Sequence, residues 1–250
     1  MSEEQERPQE ETPVQVALEE PQTPPVQKAP PQPQPAIYRV RLTYARLGGL
    51  RYVSHLDMQM VWERTLRRAA VPLAYSQGFN PRPRLHLACA LPLGFASRCE
   101  LTDFWIQLPP GEPCPDLNAL ASRIRASAPP GLEIRSAEQA SLSAPALQTQ
   151  VRAAVYQAVP LDDMDGEAIQ GAVQALLNTE NLPRERRGKP YDLRPLIETL
   201  TVDPTANPTV LTMRLTAREG ATGRPEEVLA ALGLDFTAFH VERTALILEE

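Results

Sequence analysis

The sequence predicts an α+β protein built as two tandem ferredoxin-like (βαββαβ) domains with antiparallel sheets, preceded by a disordered tail. Three observations carry that expectation. Apolar residues alternate with polar ones in several short stretches and recur at spacings of three and four in others, the periods of strands and helices. After residue 35 these periods succeed one another as strand, helix, strand, strand, helix, strand, with one extra strand in the first half, and the order then repeats. Residues 1–35 show neither period, hold nine of the 27 prolines, and carry Val14, Val16, Leu18 and Val26 as their main apolar side chains. Such a segment buries too little surface to offset its ordering entropy. The expected divisions are a tail at 1–35, a first domain at 36–138, a linker at 139–149 and a second domain at 150–250.

Each element has a local reason. Ile37 to Tyr44 sets Tyr38, Val40, Leu42 and Tyr44 against Arg39, Arg41 and Thr43, the alternation of a half-buried strand. Ser54 is an N-cap, with Asp57 three residues on. Behind it Met58, Val61, Trp62, Thr65, Leu66 and Ala69 fall on one helix face, leaving Arg64, Arg67 and Arg68 on the other. Pro72 stops that helix. Leu73–Ser76, Leu85–Leu91 and Leu101–Leu108 read as strands, Asp116–Ala128 as a helix and Leu132–Arg135 as a last strand. In the second half Val151–Val159, Tyr191–Val202, Thr209–Thr216 and Phe239–Leu248 read as strands. Gly166–Leu177 and Pro225–Leu232 read as helices, the latter with Pro at its start and Gly233 past its end. The sheet face away from the helices is expected to be open for binding.

Charge and cysteine usage narrow the classes. The chain of 250 residues has a net charge of −6, but the tail alone has seven Glu against Arg7 and Lys28, or −5. The folded part is therefore close to neutral and free to meet an anion. The start of the chain lacks the basic and apolar segments of a signal peptide, and no stretch is long and apolar enough to span a bilayer. Cys89, Cys99 and Cys114 are odd in number and widely spaced, which predicts a reducing, cytoplasmic setting and no Cys-x-x-Cys site. No metal-ligand spacing or Ser-His-Asp order occurs.

The blocks RYVSHLD (51–57), the arginine-rich helix behind it, PLAYSQGFNPRP (72–83) and ALPLG (90–94), with Gly188-Lys189 and Asp192 to Ile197, resemble the radical SAM-linked (radical SAM-associated) proteins. That is a bacterial family of undefined biochemical function, found beside or fused to radical S-adenosylmethionine enzymes. The resemblance implies a radical SAM enzyme as partner. It places the iron–sulfur cluster and S-adenosylmethionine in that partner, because this chain lacks the close cysteine cluster that holds such a centre. Arg82 departs from the family, whose members commonly have His there. Asp103 matches a family acid, and Arg98 or Arg51 is an expected partner for it.

From Tyr38 to His86 nine arginines (39, 41, 46, 51, 64, 67, 68, 82 and 84) face only Asp57 and Glu63. Arginine's planar fork suits phosphate and stacks on bases, so the first expectation is a non-catalytic companion binding a structured RNA or ribosomal target. Its candidate residues are Arg51, His55, Arg64, Arg67, Arg68, Tyr75, Ser76, Gly78, Phe79, Asn80, Pro81, Arg82, Lys189, Asp192 and Arg194. Gly78 to Pro83 supplies a stiff turn whose backbone N–H groups can meet an anion. Two alternatives stand beside it: a metal-independent RNA-processing endonuclease with His55 as acid or base, and a protein-only interaction module.

Overall fold

The computed structural model describes residues 33–203 and 205–249. The expected tail thus lies outside the described residues, apart from its last three. From Ala36 onward the described residues are mixed α+β, with a large, mostly antiparallel sheet and five α-helices. The first half runs β1 (Ala36–Arg46), α1 (His55–Arg68), β2 (Leu85–Leu87), β3 (Ala96–Leu108), α2 (Leu117–Ser127) and β4 (Leu132–Ala140). A short α3 (Leu147–Gln150) leads into β5 (Val151–Pro160) and α4 (Gly166–Leu177). A hairpin of β6 (Pro183–Arg186) and β7 (Lys189–Asp192) follows. The chain closes with β8 (Ile197–Asp203), β9 (Val210–Arg218), β10 (Ala221–Thr222), α5 (Pro225–Ala231) and β11 (Phe239–Leu248).

One sheet runs β10-β9-β5-β11-β3-β1-β4, with β2 also on β3 and β8 also on β9. The halves meet where β11 pairs in parallel with the start of β3, Glu242 opposite Ala96 and Arg243 opposite Ser97. All other pairs in this sheet are antiparallel. Two ion pairs cross the same junction. Arg98 meets Glu242 at 2.8 Å at the surface, and Arg243 meets Glu100 at 2.8 Å in the interior. A buried charge pair is tolerated only when its remaining donors are satisfied. Here Arg243 also donates to the Tyr156 hydroxyl at 2.9 Å and to the Ala90 carbonyl at 2.6 Å.

The first half packs as its alternation dictates. Val40, Leu42 and Tyr44 turn to the helices and meet Trp62, Leu66, Leu120 and Ile124 in one core. Trp62 is fully buried and stands edge-on to Tyr44, with ring centroids 4.8 Å apart. Ser54 caps α1 as expected: its hydroxyl accepts from the Asp57 N–H at 3.1 Å and donates to the Asp57 carboxylate at 2.7 Å. Gly131, at φ +86°, has no alternative, because a Cβ there would stand 2.4 Å from the Leu47 carbonyl oxygen.

Several expectations are corrected. The predicted strand Leu73–Ser76 is reduced to two isolated bridges, Leu73 with Ile106 and Tyr75 with Pro83. The predicted strand Leu85–Leu91 stops at Leu87. Beyond it the chain leaves the first half, and Ala88, Leu91 and Phe95 enter the second half's core beside Tyr156, Val228 and Leu229. The predicted strand Tyr191–Val202 is broken at Arg194–Leu196. There the Asp192 carboxylate accepts from the Leu182 and Arg194 N–H groups and bends the chain.

The expected open face is also covered in part. On the side of β1 away from the helices, Arg39 and Asp103 are buried, and Trp105 nearly so. Arg39 donates to the carbonyls of Ser141, Ala144 and Pro145, which ties the stretch between the halves across this face.

Candidate functional site

The structure sorts the arginines that the sequence had pooled. Arg39 and Arg41 both grip Asp103, at 2.6 and 2.8 Å, so Asp103 pairs with neither Arg98 nor Arg51. Arg84 stacks on Trp105 from 4.6 Å. Arg46 is buried and donates to the Leu50 and Val53 carbonyls, and burial lowers its pKa. These side chains hold the first half together and are not a field of free charge.

Of the remaining candidates, Arg64, Arg67 and Arg68 are exposed on α1, where Arg67 faces Glu63 at 3.8 Å. His55 begins the same helix, and burial lowers its pKa. Tyr75, Ser76 and Pro81 line a shallow cleft with Leu73 and Gln107. The loop above it is pinned at its base, where Ser76 N–H meets the Arg82 carbonyl at 2.8 Å and Arg82 N–H meets the Ser76 hydroxyl at 3.0 Å. Gly78 takes φ +141°, and Asn80 and Phe79 stand at the tip with the Phe79 ring fully exposed. Arg194 is spent internally, donating to Leu177 and Ile197 carbonyls.

A different surface assembles at the junction of the halves. A cavity of about 560 Å³ is walled by the Cys89–Leu93 segment, Phe95, Tyr156, Arg186, Thr222–Glu226 and Phe236. It shares Arg186, Thr222 and Arg224 with a neighbouring cleft that holds Arg187, Lys189, Tyr191 and Asp192. At its other end it shares Leu93, Phe95 and Phe236 with a cleft that holds Arg51, Tyr52 and His240. Together they form one trough, from the β6–β7 hairpin past the Cys89–Phe95 loop to the turn before α1. Two of the sequence's basic candidates, Arg51 and Lys189, therefore lie along one surface, although 138 positions separate them.

Local chemistry fixes both ends. The hairpin turn is Arg187-Gly188, both with positive φ (54° and 75°), the geometry that matches strand twist in two-residue turns. Arginine rarely takes this conformation, and here it sets the Arg187 and Lys189 side chains at an exposed tip. Neither has a carboxylate within ion-pair distance among the described residues, whereas Arg186 is neutralised by Glu227 at 2.8 Å. At the far end Arg51 donates to His240 Nδ1 at 3.3 Å and lies over the Tyr52 ring at 5.4 Å. The Arg51 carbonyl accepts from Gly94 N–H at 2.8 Å, which ties the RYVSHLD and ALPLG blocks together.

The walls between are apolar. Leu93 is 60% exposed, Tyr52 65% and Phe236 42%, all unusually high for such side chains and all on this trough. Burial pushes the Cys99 thiol up to about 12 and raises Cys89 as well, so neither supplies a thiolate near neutral pH. Arg224 and the Phe236 wall were missed in the sequence. The Pro183–Asp192 hairpin was not read either, since only Tyr191 and Asp192 fell within a predicted strand, and Phe236 lies in a segment without a recognisable period.

The fold and this surface define an α+β protein with a mostly antiparallel sheet and a long basic and apolar trough at the junction of its halves. The chain belongs to the family described as "Uncharacterized protein conserved in bacteria (DUF2344)", whose model matches residues 39–225, from β1 to the first residue of α5. No curated protein matches it. No helix among the described residues is long and apolar enough to cross a membrane.

Proposed function

We propose that this protein is a non-catalytic companion of a radical SAM enzyme that grips a structured RNA or ribosomal target along the junction trough. One observation carries the reading. Among the described residues Arg51, Arg187 and Lys189 lack carboxylate partners, and they lie on one surface with exposed Tyr52 and Phe236, the pairing of phosphate-binding charge with stacking rings that nucleic acid requires. The radical SAM partner is supported by the resemblance of the sequence blocks alone. The exposed arginines of α1 and the Phe79 loop lie off the trough and supply further contact area for the RNA or the enzyme.

Each half reads as a ferredoxin-like unit, supported by the strand orders β4-β1-β3-β2 and β11-β5-β9-β8. Binding at the junction explains why such units would be fused edge to edge. The endonuclease reading has less support, since His55 makes no side-chain hydrogen bond among the described residues to orient it as acid or base. The test is capture of the tagged full chain from its native cells, with and without ribonuclease. The reading expects a defined RNA and a radical SAM enzyme among the bound material. Recovery of neither removes it.

A further inference from the structure

Within the trough, the central cavity has its own chemistry. Its walls are Leu91, Leu93, Phe95, Pro225 and Phe236, and Glu226 is the carboxylate that lines it. Glu226 Oε1 lies 3.8 Å from Arg224 Nη1, while Oε2 is shut off from water with no hydrogen-bond partner among the described residues. A polar atom left unpaired in this way calls for an explanation, because desolvation without a partner is costly. Arg186 and Arg224 line the same cavity. Arg186 is paired with Glu227 and Arg224 lies against Glu226, so the cavity has no excess negative charge to draw in a cation, and the carboxylate suits a neutral fork of N–H donors. The apolar walls suit the flat ring that bears such a fork, and Arg224 with Arg187 and Lys189 suits phosphates joined to it.

Among nucleobases, guanine has that edge, with its N1–H and N2–H groups side by side. We infer that the cavity takes one unpaired guanine of the RNA, its ring against Phe236 and Leu93 and its N–H edge on Glu226. Rotation about the soft terminal torsion of Glu226 turns both oxygens to the base. The ionised carboxylate is the form that accepts both hydrogen bonds. Burial raises the Glu226 pKa, so the bound base also relieves a carboxylate that the empty cavity disfavours. This inference rests on the RNA reading above and adds the base that the site selects.

The probe is a short labelled oligouridine with one central guanosine, compared with the same strand bearing inosine or uridine at that position. Inosine keeps N1–H and lacks the N2 amino group. Fluorescence anisotropy with the full chain at fixed salt should show guanosine bound about tenfold tighter than inosine, and uridine weaker still. Glu226→Gln should bind the guanosine and inosine strands alike, at the wild-type affinity for inosine or below, with uridine still weaker. Phe236→Ala should weaken the guanosine and inosine strands together. Equal binding of the three strands by the wild type overturns the guanine site and leaves the RNA reading standing, as does a guanosine preference that survives Glu226→Gln. Failure of every strand to bind at low salt overturns both.

Discussion

The α1 face and the junction trough teach opposite lessons about charge. The α1 face announces itself in the sequence, because Arg64, Arg67 and Arg68 stand together on one helix and belong to one block. In the structure they are exposed and line none of the three clefts of the trough. The trough is dispersed in the sequence: Arg51, Arg187 with Lys189, Arg224 and Phe236 come from four segments, and only the fold gathers them. Density of arginine along a chain thus measures binding capacity poorly. Of the nine arginines between Tyr38 and His86, Arg39, Arg41 and Arg46 serve the interior instead.

The trough depends on the junction, and the largest expected effect comes from breaking it. Arg243→Met leaves Glu100 buried without its partner and should cost about 3–5 kcal/mol in urea unfolding, while Arg243→Met with Glu100→Leu should recover much of it. A single variant that unfolds like wild type would show that the halves are held by other contacts. On the first half alone, Asp103→Asn weakens the anchor of both Arg39 and Arg41. A loss of roughly 2–3 kcal/mol is expected by the same measurement, without loss of the junction.

Smaller effects should separate structural from functional groups on α1. Ser54→Ala removes the cap and should cost about 1 kcal/mol. Phe79→Ser should change stability by less than about 0.5 kcal/mol, since the ring touches solvent alone, and a larger loss would mean that the loop docks.

The pH dependence follows from His86, which is half-buried and which burial holds below the usual 6.5. A depressed histidine pKa means the folded state resists protonation, so its stability is intact above about pH 6.5 and declines as pH falls through that value. Thermal melts should therefore drop between about pH 7.5 and about pH 5.5, and His86→Asn should shrink the drop. An unchanged drop would assign it to other groups.

How much was legible follows the same division. Strands and helices that bury a face within one half were readable, because Val40, Leu42 and Tyr44 or Ile169, Val173 and Leu176 must each meet a core. The Ser54 cap was readable from its own block. What failed was long-range. Nothing local in Ala88–Phe95 says that it crosses into the other half, since Arg243, 153 positions from Ala90, captures its carbonyl. Asp192 likewise breaks a strand through backbone bonds that alternation cannot reveal. The site inherits this limit: Arg51 and Lys189 were found as charges, but their common surface required the fold.

The most direct test compares the two regions in one assay, the salt dependence of RNA binding by the full chain. One variant combines Arg51→Gln, Arg187→Asn and Lys189→Gln, with asparagine chosen because it tolerates the left-handed turn position. The other combines Arg64→Gln, Arg67→Gln and Arg68→Gln. Each lost phosphate contact lowers the slope of log affinity against log salt by roughly 0.7–0.9. The account predicts that the trough variant loses roughly two units of slope or more, while the α1 variant loses less than about one. A trough variant with wild-type affinity and slope, beside an α1 variant that no longer binds, would contradict the assignment of the junction as the binding surface.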